Sequence, residues 1–252
     1  MKVDVLDLKG KKLKQIELPY QFTEPYHPNL IKRAVAVIMS KLRQVYGHKE
    51  GAGMGYSAKI SRRRRNYKGA YGHGYSRVPR KTMLRRGRQF HWVGAVAPGT
   101  VGGRRAHGPN FEKDFSQKIN KKERKKAIRS LLGASFEQKK MIVFEDKLEA
   151  LKKTKEVVIT LENSSLKNEL EKVTKTVRSG KGKMRGRKYK TKKGLLFVVS
   201  KTCDLSKSAR SLLGADVVNV SSLNVSDIAK GSELRTSVWT EGAVKKVGAL
   251  FK

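Results

Sequence analysis

The sequence predicts an α/β protein with a mainly parallel sheet, interrupted by two stretches that do not belong to that body. Three observations carry this. Short apolar runs such as LLFVVS at 195–200 read as buried parallel strands. Helical patterns alternate with them, which is the signature of an α/β layer. Two long acid-poor basic segments break the alternation.

Taken in order, Val3, Val5, Leu6 and Leu8 form a strand, and Gly10-Lys11 turns into a second strand ending at Leu18. Pro28 opens an amphipathic helix with Leu30, Ile31, Ala34, Val35, Ile38, Leu42 and Val45 on one face, expected to end at Gly47. Periodicity then stops. It resumes at Asn120, where Asn120 and Glu123 have capping-box spacing and Ala127, Ile128, Leu131 and Leu132 share a face before Gly133. Met141 to Phe144 reads as a buried strand, and Leu148–Leu161 and Leu166–Val177 read as helical, although Val157-Val158-Ile159 alone fits a strand. After LLFVVS come a short helix through Leu212, a strand at Ala215–Val220 and a short helix near Asp227. A strand at Thr236–Trp239 and a helix at Thr240–Leu250 follow.

The domain reading is therefore a body made of 1–46 and 110–252, with an extended Gly/Arg-rich loop, 47–109, inserted in it. A second basic loop spans 178–193. The 47–109 segment holds 13 of the 23 glycines and 15 Lys or Arg against one acid, Glu50. Structureless segments this long are uncommon inside compact domains and are usually functional. Drawn out as a hairpin-like arm it reaches at most ~100 Å, against a radius of gyration of ~16 Å for the remaining body. Fixing a backbone costs about 1–2 kcal/mol per residue, and this segment has no apolar core to offset that, so the isolated arm is expected to be disordered.

Charge says what it touches. Lys plus Arg total 58 and Asp plus Glu 21, a net charge of +37. Clustered as it is, that charge points to a polyanion. Phosphate contacts with counterion release can order the arm on a nucleic acid. Tyr56, Tyr67, Tyr71, Tyr75, Phe90 and Trp92 lie among the cations. Such rings stack on unpaired bases, which favours RNA over duplex DNA; for Phe90 and Trp92, a local cluster that steadies the arm is an equal reading.

Competing chemistry is thin. GAGMG at 51–55 follows a helix instead of a strand and lacks the full nucleotide-loop spacing. The lone Cys203 excludes an internal disulfide or a Cys-based zinc site. His48, His73, His91 and His107 show no metal spacing, and Glu145-Asp146 sits where a helix dipole favours acids. No cofactor is expected. The N-terminus has no signal-peptide pattern and no apolar run approaches a membrane span, so the expectation is a cytoplasmic protein with no membrane partner.

Several separated stretches now appear together in one order: KRAVAVIMSKLRQVYG at 32–47, GYSRVPR at 74–80, GGRRAHGP at 102–109, NKKERKKAIRSLLGA at 120–134, RGRKYK at 185–190, then GADVV and VWTEGA. In these the chain resembles, over essentially its whole length, the universal fourth protein of the large ribosomal subunit (the L-four family) in its archaeal and eukaryotic form. Ending near Lys252, without the long tail of eukaryotic members, it looks archaeal. The resemblance implies a three-layer α/β/α body with a four-stranded parallel sheet, binding to large-subunit ribosomal RNA, and a role early in subunit assembly. It also implies a long loop that lines the peptide exit tunnel near its constriction, opposite the twenty-second large-subunit protein, in reach of the nascent polypeptide.

Carried onto this chain, the resemblance places the tip around Gly72 to Arg88, with Arg77, Arg80, Lys81 and Arg85 nearest the tunnel wall. Arg62, Arg63, Arg64, Arg65, Tyr67, Lys68, Arg104, Arg105 and His107 would bind RNA along the limbs. Arg185, Arg187, Lys188 and Tyr189 would dock the body. RRRRNYK and RKTMLRRGRQFHW are more basic and bulkier than the Gly-rich tip of the family. Two other classes remain to be weighed. One is a nucleic-acid-processing enzyme whose arm grips substrate, opposed by the lack of an acid, metal or nucleophile cluster. The other is a chromatin-like DNA packer, which needs no α/β core of this size.

Overall fold

The computed structural model describes residues 1–87, 89–231 and 233–251. Arg88, at the end of the expected tip, and Lys252, at the end of the expected body, lie outside the described residues. The chain divides into two compact units, Met1–Leu42 with Ser116–Lys252, and Arg43–Phe115.

In chain order the elements are β1 (Lys2–Leu6), β2 (Lys12–Glu17), α1 (Pro28–Leu42), β3 (Ala58–Lys59), β4 (Arg80–Arg86) and β5 (Gln89–Gly94). Then follow α2 (Lys121–Glu137), β6 (Met141–Phe144), α3 (Thr154–Asn163), α4 (Lys167–Glu171), β7 (Lys175–Val177) and β8 (Tyr189–Thr191). The remainder is β9 (Leu196–Val199), α5 (Leu205–Ser208), β10 (Asp216–Asn219), α6 (Val225–Ile228), β11 (Ala229–Lys230), β12 (Glu233–Leu234), β13 (Ser237–Thr240) and α7 (Glu241–Val247).

The larger unit is α/β with a mainly parallel central sheet in the order β10-β9-β13-β6-β1-β2. Every neighbouring pair is parallel except β1–β2. Six strands stand where four were expected. The difference is the N-terminal hairpin: β1 pairs with β6 through Val5↔Val143 and Leu6↔Phe144, and brings β2 to the edge. KLKQIE suits that edge, because exposed lysines discourage further pairing.

Strand side chains alternate between faces, and the register makes the alternation collective. Val143, Val198 and Trp239 are paired in register and enter one core with Ile31, Ala127, Ile128, Leu131, Val225 and Val244. Phe197 and Val238, one step along, enter a second core with Leu148, Val157, Leu161, Leu166 and Leu205. Each fully buried large side chain contributes about 1.5–3 kcal/mol, so these two cores hold the unit together. Trp239 also packs edge-on to Phe22 at 6.1 Å, and its indole N–H donates to Ser237 Oγ at 2.9 Å.

Several boundaries differ from expectation for physical reasons. α2 has the expected capping box at Asn120 and Glu123 but does not stop at Gly133. That glycine lies mid-helix because a Cβ there would meet the Glu24 carbonyl oxygen at 2.3 Å. α1 ends at Leu42 instead of Gly47. Val157-Val158-Ile159 lies in helix α3, whereas the helix expected through Val177 gives way to α4 and strand β7.

A buried cation ties together the loops that lead into the amino ends of β9, β10 and β13. Arg235 is 6% exposed and donates to the carbonyls of Gly194 at 2.8 Å, Leu195 at 2.9 Å and Asp227 at 3.2 Å, and to Asp216 Oδ2 at 2.8 Å. Burial acts to raise the pKa of Asp216, but hydrogen bonds from Lys193 and Arg235 outweigh it and hold the carboxyl below its ordinary value.

Candidate nucleic-acid interface

In the unit Arg43–Phe115, the segment expected to lack internal order contains a three-stranded antiparallel sheet, β3-β4-β5. β4 and β5 form a hairpin from Arg80↔Gly94 to Arg86↔Gln89, with an irregularity between Thr82 and Leu84. Gly87 follows at φ +57°, the left-handed conformation that tight hairpin turns need. The ends of the unit are joined as well. Tyr46 stacks on Phe115 at 6.5 Å with Arg43 4.2 Å from the Phe115 ring, and His48 N–H donates to the Pro109 carbonyl at 3.1 Å.

The aromatic residues explain how so basic a segment holds together. Phe90 meets Trp92 edge-on at 5.0 Å, Tyr67 meets Phe90 at 5.5 Å, and Tyr75 meets Trp92 at 6.4 Å. Cations cover the ring faces: Arg80 lies 5.3 Å from Tyr75 and 5.8 Å from Trp92, Lys81 3.8 Å from Tyr56, and Arg64 4.5 Å from Tyr71. A cation over a ring is worth about 0.5–1 kcal/mol when exposed. Phe90 and Trp92 therefore form the local cluster. Tyr67 and Tyr75 belong to it and still keep about half their surface free, at 55% and 53% exposed.

The expected RNA-binding residues fall on separate features. Arg62, Arg63, Arg64 and Arg65 are exposed beside Tyr67 and the half-buried Lys68. Arg63, Arg64 and Arg65 line a hollow of about 430 Å³ with Asn66 and Tyr71. Arg65 and Lys68 both take positive φ, which turns the chain tightly around that hollow. A second hollow of about 290 Å³ is bounded by Arg104, Arg105 and the Gly51–Met54 loop. His107 is exposed nearby in sequence and does not line it.

The four residues expected nearest the tunnel wall are spread along the 72–88 stretch. Arg80 and Lys81 begin β4 and Arg85 lies near its end, about 17 Å away at a strand rise of roughly 3.4 Å per residue. Arg77 is exposed ahead of the strand. Arg80 is also committed internally, since Nη2 donates to Ser76 Oγ at 2.8 Å and to its carbonyl at 3.2 Å. Met83 and Leu84, 62% and 70% exposed near the hairpin turn, were not singled out. Their signal was available: two apolar residues in a segment with no core to receive them.

In the larger unit, β7 and β8 pair as a hairpin around a 3₁₀ turn, Lys181–Arg185. Arg178 ties its base by donating from Nε to the Arg187 carbonyl at 3.2 Å. Arg185, Arg187, Lys188 and Tyr189 are exposed, with Lys175 4.3 Å and Lys188 5.5 Å from the Tyr189 ring. Gly180 and Gly186 supply the positive φ of the turn.

The acids of the body are engaged structurally. Asp146 Oδ1 accepts from the Gly242 N–H at 2.7 Å, while Glu149 accepts from Ser200 N–H at 2.8 Å and Thr240 Oγ1 at 2.7 Å. Among the described residues no group of three or more His, Cys, Asp or Glu could hold a metal ion, and no helix is long and apolar enough to cross a membrane. Cys203 is a free, half-buried thiol whose pKa burial pushes up.

Cationic features of this kind, present on each unit, fit an RNA partner, and comparison with known proteins decides the family. Residues 16–250 match the ribosomal protein L4/L1 family. The chain belongs to it. It is 40% identical to the large ribosomal subunit protein uL4 of Archaeoglobus fulgidus, with 98% of each chain covered. It is 41% identical to the uL4 of Nanoarchaeum equitans over 92% of each, and 37% identical to that of Methanocaldococcus jannaschii over the full length of both. These archaeal members support the archaeal type within the family.

Proposed function

We propose that this chain is a structural constituent of the large ribosomal subunit in the cytoplasm, binding large-subunit ribosomal RNA and carrying no catalytic role. The observation that carries this is the family match over residues 16–250 together with archaeal relatives named as large-subunit proteins along nearly the whole chain. The enzyme alternative finds no support among those relatives.

The finer assignment follows from the same reading. The body, 1–46 with 110–252, is a three-layer α/β/α support, and the two cores on alternate strand residues favour that arrangement. The inserted 47–109 loop runs along RNA through Arg62, Arg63, Arg64, Arg65, Tyr67, Lys68, Arg104, Arg105 and His107. The 178–193 loop docks the body through Arg185, Arg187, Lys188 and Tyr189. Arg77, Lys81 and Arg85, with Arg80 shaping the hairpin, bring the loop to the exit tunnel beside the twenty-second protein and the nascent polypeptide, and the RNA contacts help early assembly. Half-exposed tyrosines with cations on their faces support this, because such rings can take a base on the free side.

Ultraviolet crosslinking of purified large subunits, read by mass spectrometry, tests it. Nucleotides of large-subunit RNA should be found on peptides holding Arg62–Lys68, Arg104–His107 and Arg185–Tyr189. Crosslinks confined to other parts of the chain would overturn the assignment.

A further inference from the structure

Between α1 and the start of α2 lies a groove of about 540 Å³ whose lining does not match the RNA interface. Val37, Ile38, Leu42 and Ile119 form its apolar floor, and its charged lining residues, Lys41, Lys118, Lys121 and Arg124, are all cations. The apolar face of α1 is longer than the core uses: Ile31, Ala34 and Val35 are buried, whereas Leu42, at the end of the helix, is 73% exposed. The Asn120 side chain in the groove wall is already committed to capping α2.

We infer that this groove docks an acidic segment of a neighbouring protein, with one or two aliphatic or aromatic side chains seated on the floor and Asp or Glu meeting the cationic rim. The inference rests on the reading of the chain as a ribosomal constituent. RNA would satisfy the rim and leave the floor unused, because bases stack on aromatic rings and no aromatic residue lines the groove. A wholly apolar segment would use the floor and leave Lys41, Lys118 and Lys121 facing it, beside Arg124, whose Nη2 already donates to Asn224 Oδ1 at 2.9 Å. Only a partner with both characters matches the lining, and an apolar anchor surrounded by complementary charge is how protein interfaces combine affinity with register.

Zero-length carbodiimide coupling on purified large subunits tests this without any substitution, since it joins a lysine amine only to a carboxylate in contact with it. Lys41, Lys118 or Lys121 should couple to an Asp or Glu of a different protein, on a peptide where that acid lies within a few residues of Leu, Ile, Val, Met or Phe. Subunits carrying Leu42→Ala should give about tenfold less of that product, the effect of losing an anchor worth roughly 1.5 kcal/mol. Coupling only to acids of this chain, no coupling at these lysines while others on the body react, or ultraviolet crosslinks from this groove to RNA alone would overturn the inference. If the chain were absent from large subunits altogether, the ribosomal reading would fall first, and the two failures are distinguishable.

Discussion

Trp92→Ala tests whether the basic hairpin is organised before it meets any partner. The indole meets Phe90 at 5.0 Å and Tyr75 at 6.4 Å, both edge-on, and carries the Arg80 guanidinium 5.8 Å from its centroid. Two edge contacts contribute about 0.5–1.5 kcal/mol each, and the cation about 0.5–1 kcal/mol. The local loss is therefore about 1.5–4 kcal/mol, and at 1.4 kcal/mol per tenfold it makes opening of the hairpin roughly 10- to 1000-fold more frequent. Amide hydrogen exchange of the RNA-free protein reads this directly. Protection in β4 and β5 should fall by that factor while β9 and β13, in the other unit, keep theirs. Trp92→Phe, which retains a ring, should lose less. Unchanged exchange in β4 and β5 would refute the claim that the aromatic cluster holds the hairpin, and equal acceleration in β9 would refute the claim that the loss is local to it.

Three further outcomes follow from the same structure. Arg235→Met leaves Asp216 with Lys193 as its remaining ion-pair partner and takes the guanidinium from the Gly194 and Asp227 carbonyls, so urea unfolding should show a loss of about 1–3 kcal/mol; a loss under about 0.5 kcal/mol would mean that the hub is not structural. The folded pKa of Asp216 lies below its ordinary 3.8, so its contribution is present above about pH 4 and disappears as pH falls through the lower folded value. Asp216→Asn should therefore flatten the stability–pH curve below about pH 4, and an unaltered curve would contradict the assignment. Charge reversal at Arg185, Arg187 and Lys188 should reduce the log–log salt slope of RNA binding by roughly 0.7–0.9 for each phosphate the hairpin no longer neutralises, and an unchanged slope would remove the β7–β8 hairpin from the interface.

How much was legible in the sequence depended on how local the cause was. The capping box at Asn120 and Glu123, the apolar runs of β6, β9 and β13, and the one-faced α1 were readable because each is written within a few residues. The length of α2 was not, because Gly133 serves a backbone, at Glu24, more than a hundred residues away. The two extra strands were hidden for a similar reason: the N-terminal hairpin was visible, but its attachment to the sheet through Val5 and Leu6 was not. In the basic unit, composition argued for disorder, since Ala70 and Ala95 are its only buried apolar residues among those described. What composition misses is that rings and cations can pack on each other outside a core, as Tyr56 with Lys81 and Tyr75 with Arg80 do. The four residues assigned to the tip lie within nine positions of each other in the sequence, and strand geometry spreads Arg80 and Arg85 along the hairpin.

The central claim is that this protein is part of the large ribosomal subunit. Sedimentation of a lysate through a salt-washed gradient, with this chain followed by quantitative mass spectrometry, measures that directly. One copy per large subunit retained after the wash is the predicted result. Absence from the subunits, with the chain recovered on other RNA or on DNA, would contradict the account.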